Sequence, residues 1–103
     1  MPEKTERKQR LKAWKDTEKA KARALFPLAP SVLGEFFSQL EARFEQYGCA
    51  RDNRQARSVI DAMKLSDADA NALLDWCAEH GGYCDCEIAA NPYQHWLQNK
   101  TAD

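Results

Sequence analysis

Residues 81–92 read GGYCDCEIAANP, and the fold turns on whether this stretch is strand or helix. The glycine pair ends whatever precedes it. After it the period is two: Cys84, Cys86 and Ile88 alternate with Tyr83, Asp85 and Glu87, as on a strand with one face buried. On that reading residues 83–88 form a short strand with both cysteines facing inward. A lone strand leaves its backbone groups unpaired, so it needs a partner. The linker around Cys49–Arg51 is the extended candidate within the chain, and the same strand of a second molecule is the other. Asn91–Pro92 then supplies the N-cap and first residue of a short last helix carrying Tyr93, Trp96 and Leu97.

Back from the glycines the spacing is helical. Ser66 caps a helix with Asp67 and Asp69 near its positive end and Ala70, Leu73, Leu74 and Cys77 as its apolar stripe. The preceding helix starts at Asp52, with Gln55 three residues on in a capping-box pattern. It buries Ala56, Val59, Ile60 and Met63. Before that, Ser31 caps a helix carrying Leu33, Phe36, Phe37, Leu40, Phe44 and Tyr47, and Gly48 closes it. The expected core is Phe36, Phe37, Leu40, Phe44, Val59, Ile60, Leu73 and Leu74. Residues 3–24 contain no Gly or Pro and are rich in helix formers. Glu3 with Arg7 and Glu6 with Arg10 add favourable i,i+4 pairs. Met1, Leu11 and Trp14 are too few to bury a face of this helix, and FPLAP at residues 26–30 breaks it. The expected fold is mainly α, about four to five helices, with a short β-strand or two-stranded ribbon at the CDCE segment. Residues 1–24 form a basic, exposed helical arm, and residues 25–103 a single helical domain.

Charge follows the same division. Residues 1–23 hold nine Lys or Arg and four acids, a balance of +5, while the remainder carries −6. Such an arm suits an anionic partner or the acidic body of a second copy. No segment has the roughly 18 consecutive apolar residues of a membrane span. The amino terminus has charges without an apolar h-region, so no secretory leader is expected. A cytoplasmic protein with its four cysteines as reduced thiols is the simplest expectation.

The stretch LLDWCAEHGGYCDCEIAAN resembles the signature of a small bacterial family, domain of unknown function 2695. That family carries a Trp-containing helix, then Gly-Gly-Tyr-Cys-Asp-Cys-Glu, an aliphatic residue or two, and Asn. Here these are Trp76, Gly81, Gly82, Tyr83, Cys84, Asp85, Cys86, Glu87, Ile88 and Asn91. The family also places Cys-Asp-His-Thr before the preceding helix. Cys49 matches its cysteine, Ala50 and Arg51 replace the Asp and His, and Asp52 stands where the Thr would cap the helix. The resemblance is specific over residues 49–91 and looser over LKAWKD…FPLAP. It implies a fold and a shared site, not an activity.

Several chemistries compete for these residues. Cys49, Cys84 and Cys86 could converge on zinc, with His80 or Cys77 as a fourth ligand. The C-x-C spacing is a weaker zinc signal than C-x₂₋₄-C, and buried cysteines on a strand serve equally as small hydrophobes. A redox role would pair Cys49 with Cys84 or Cys86, because a Cys84–Cys86 bond closes a strained ring. Asp85 and Glu87 on one face suit paired carboxylates, but no sequence feature supplies the pocket that would split their pKa values. A nucleophile and base could come from Cys84 or Cys86 with His80 or His95, without any surrounding catalytic motif. His80 before Gly-Gly fits a helix C-terminus. The arm from Lys4 to Arg23 could track phosphates with Trp14 stacking on bases, although its interspersed acids weaken the field.

The leading expectation is a small, cytoplasmic, non-catalytic interaction or regulatory protein with a protein partner or a second copy of itself. Its binding residues are Tyr83, Asp85, Glu87 and Asn91. A zinc-thiolate domain is the alternative, and a thiol redox protein or enzyme comes third.

Overall fold

The computed structural model describes residues 2–48 and 51–100. Among them are five helices and no strand: α1 Pro2–Ala24, α2 Pro30–Tyr47, α3 Arg54–Ala62, α4 Asp67–Glu79 and α5 Asp85–Asn99. The strand expected at residues 83–88 is therefore absent. Those residues form a turn and the first turn of α5, which runs on through Pro92. The helix starts seven residues before Pro92, which was expected to be its first helical residue.

Four helices form a body in which α5 is central, touching α1, α2, α3 and α4. α2 brings Leu33, Phe36, Phe37 and Leu40 to the interior. α3 adds Ala56, Val59 and Ile60, and α4 adds Leu73, Trp76 and Cys77. α5 contributes Ile88 and Pro92, both fully buried. Phe44 and Leu74, expected in the core, are half-buried at its edge, while Trp76 and Ile88 take interior places. Phe37 sits at the middle of an aromatic cluster, with Phe36 at 5.2 Å, Tyr93 at 5.4 Å and Trp96 at 5.5 Å between ring centres.

The starts of α2 and α3 depart from expectation by a residue or two. α2 begins at Pro30, not after Ser31, because the fixed φ of proline suits the first helical position. α3 begins at Arg54. Asp52 folds back onto it, its carboxylate accepting from the Arg54 N–H at 3.0 Å and pairing with the guanidinium at 3.1 Å. α4 is capped as expected by Ser66, whose oxygen accepts from the Asp69 N–H at 3.1 Å.

α1 stands apart in character. Its carboxyl-terminal turns rest on α5, where the Arg23 guanidinium donates to the Asn99 carbonyl at 3.1 Å. A cation there satisfies an end carbonyl and favours the negative pole of α5. Farther out, Leu11 and Trp14 are 57% and 61% exposed. The molecule is elongated, 55 × 26 × 20 Å. No helix is long and apolar enough to cross a membrane among the described residues.

Candidate functional site

The glycine-cysteine segment is where α3, α4 and α5 meet, and its side chains are arranged by helix ends. α4 finishes with the Gly82 N–H donating to the Cys77 carbonyl at 2.7 Å, over a left-handed Gly81 (φ 80°). Gly81 is held from the other side by Asn91, whose amide donates to its carbonyl at 3.1 Å. At Gly82 a β-carbon would lie 2.7 Å from Pro92 Cγ and 3.1 Å from both the Cys77 carbonyl and Ile88 Cγ1. The chain can cross between α4 and α5 only because this position has no side chain.

Cys84 is the N-cap of α5 and Glu87 its third helical residue, so CDCE forms a capping box with cysteine in the usual Ser or Thr seat. One Glu87 oxygen accepts from both the Tyr83 and Cys84 N–H groups at 3.3 Å. Asp85 does something else. It is fully buried, and its two oxygens accept from the Gln55 N–H at 3.1 Å and the Ala56 N–H at 3.0 Å. Those are the second and third residues of α3, the donors that an N-cap side chain normally satisfies. Asn53, the N-cap residue by position, makes no side-chain cap. The Asp85 N–H in turn donates to the Asp52 carbonyl at 2.8 Å. One carboxylate thus closes α3 from about thirty residues away and lies beside two positive helix ends.

The expected binding residues therefore divide. Asp85, Glu87 and Asn91 hydrogen-bond within the chain, and Tyr83 faces solvent at 69% exposure. Asp85 was expected outward and is inward. Cys84 and Cys86 were expected inward, and they are half-buried and exposed respectively. Cys49 lies outside the described residues. Among the described residues no three His, Cys, Asp or Glu side chains group so as to hold a metal ion. Burial pushes the Cys77 thiol up to about 12, so at neutral pH it is protonated.

His80 is drawn elsewhere. Its ring stacks on His95 at 3.9 Å, with Trp76 5.1 Å from His80 and Phe26 6.3 Å from His95. Burial, and then the neighbouring His80, lowers the His95 pKa below its ordinary value. Trp76 Nε1 is buried without a hydrogen-bond partner among the described residues. Sequence reasoning missed the histidine stack, whose members sit at the C-cap of α4 and on α5 with no shared spacing. It also missed the capping role of Asp85. A signal for the local cap was present: C-x-x-E after a glycine pair has the spacing of S-x-x-E.

Two surface features remain. Phe37, Glu41, Phe44, Ala89 and Tyr93 line a shallow apolar groove between α2 and α5. Trp14, Lys15, Glu18, Lys19 and Leu97 line an open groove between α1 and the end of α5.

The architecture defines a small all-helical protein whose glycine-cysteine segment is a joint between three helix ends. The chain belongs to the family described as Protein of unknown function (DUF2695), whose model matches residues 36–91. It is similar to uncharacterized proteins of Mycobacterium tuberculosis and Mycobacterium bovis. Each is 27% identical over 90 residues, which cover 87% of this chain and 88% of the relative. No solved structure matches.

Proposed function

We propose that the chain is a non-catalytic interaction protein of the cytoplasm, a compartment that keeps thiols such as Cys84 and Cys86 reduced. Its partner-facing surface is the exposed side of α1. The observation that carries this reading is the exposure of Leu11 and Trp14, at 57% and 61%, on a helix otherwise made of charged, polar and small residues, and of Leu25, at 78%, in the turn directly after it. Large apolar side chains in a charged frame, including a tryptophan, have the composition of a protein contact. The acids of the motif support the same reading from the other side. Asp85 and Glu87 are committed to helix ends, which explains their presence without a reaction.

A photo-cross-linking side chain in place of Trp14 tests this in the native host, with one in place of exposed Arg57 as control. Discrete protein adducts, whether with itself or another protein, are expected at position 14 and not at 57. Equal, diffuse labelling at both positions would overturn the assignment.

A further inference from the structure

The exposed apolar residues of α1 and Leu25, the first residue after it, are not scattered. Leu11, Trp14, Glu18, Lys21 and Leu25 follow one another at alternating steps of three and four. At about 100° per residue they fall within an arc of about 80°. That is the spacing of a two-helix seam, with its central positions occupied by an acid and a base. Asp16, Lys19 and Arg23, which are half-buried, lie on a different side of the helix, and half-buried Ala22 marks the edge of the seam. The seam is therefore open while α1 is docked on α5, and Leu97, 39% exposed, borders it.

We propose that this seam binds α1 of a second copy, antiparallel, forming a symmetric dimer; the proposal rests on the interaction reading of α1 and names its partner. Charge selects the direction. A parallel pair would set Glu18 on Glu18 and Lys21 on Lys21, repelling at both positions. An antiparallel pair centred between residues 19 and 20 sets Glu18 against Lys21 of the partner subunit, and Lys21 against the partner's Glu18. The same register sets Trp14 against the partner's Leu25, and Leu25 against the partner's Trp14. All of these contacts occur twice, as a two-fold interface requires. Within one chain Glu18 and Lys21 already pair at 3.5 Å with both side chains exposed, so they need little rearrangement.

The overall charge favours the same arrangement. Beyond the crossing, the amino-terminal half of each arm continues past the partner's Leu25, where the partner's body begins. Residues 1–23 carry +5 and the rest of the chain −6, so the arm of one copy and the body of the other attract as wholes. With so few apolar side chains in the seam, association depends on concentration, and added salt weakens it.

Sedimentation of the full chain over a wide concentration range tests the proposal. The expected mass moves from 11.8 kDa towards twice that value as concentration rises. Trp14→Ala weakens association at least about tenfold while leaving the helical circular dichroism unchanged, since the ring is exposed. Glu18→Lys and Lys21→Glu each weaken the dimer, and the double swap Glu18→Lys with Lys21→Glu restores it. A mass of 11.8 kDa throughout overturns the dimer, and photo-adducts at position 14 with another protein would then leave the interaction reading standing. A dimer indifferent to Trp14→Ala, or charge swaps that fail to rescue, overturns the α1 seam.

Discussion

Asp85 shows how one side chain can serve an element far from it in sequence. A buried carboxylate is costly unless its oxygens are satisfied, and here each accepts a backbone N–H of α3. Removing it leaves two buried donors open at a positive helix end. Asp85→Ala should therefore lower unfolding stability by about 2–4 kcal/mol. Asp85→Asn should cost less, because its amide oxygen keeps one acceptor. Urea denaturation checks both, and equal stability of all three proteins would remove the capping account. Cys84 gives the opposite expectation. It occupies a cap position where serine is preferred, so Cys84→Ser should leave stability unchanged or raise it by up to about 1 kcal/mol. A stabilising zinc-thiolate site would require a clear loss instead, together with loss of bound metal. Gly82 tolerates nothing larger: the added carbon of Gly82→Ala would meet Pro92 at 2.7 Å.

The helices that announced themselves in the sequence were those with a local start and a full apolar stripe. α2, α3 and α4 combine caps or breakers with apolar residues three and four apart, so their interior faces could be read directly. α5 was misread for two physical reasons. Cys-Asp-Cys-Glu alternates in polarity over a stretch too short to distinguish periods of two and 3.6, and Asn91–Pro92 imitates a helix start. Pro92 instead lies inside α5 and packs on Gly82, where its ring is part of the core. The inward turn of Asp85 was not legible, because it depends on α3 donors that only the tertiary fold brings near. The contact between α4 and α5 carries a pH dependence of its own. His95 is held below its ordinary value of 6.5 by burial and by stacked His80, with Trp76, Phe26 and Asn99 around it. The unfolded chain therefore binds a proton that the folded chain resists. This contribution is complete above 6.5 and is lost as pH falls through the lower folded value. The urea midpoint should drop between pH 7.5 and 5.5, and His95→Phe, which keeps a ring in the stack, should flatten that drop. An unchanged slope in the variant would assign the dependence to other groups.

In the molecule as a whole, a packed interior is joined by a helix that adds little to it. The body's interior is supplied by α2 to α5, and Leu40 is completely buried in it. Leu40→Ala should lower stability by about 2–5 kcal/mol; thermal unfolding matching the parent would mean that α2 does not face the core as described. α1 brings little to that interior. Leu11 and Trp14 are mostly exposed, and its hold on the body includes the Arg23–Asn99 bond and the packing of its last turns on α5. The apolar area such an arm buries is too small to supply much of the stability of the body. A chain beginning at Ala24 should therefore keep a cooperative thermal transition, lowered only by the loss of one capping bond and a modest contact. It should also lose self-association, because the whole seam but Leu25 has gone. The two readouts separate the roles of the arm. If the shortened chain unfolds without cooperativity, α1 is part of the core's stability and the division fails. If it folds and still dimerises, the body carries the interface and α1 does not.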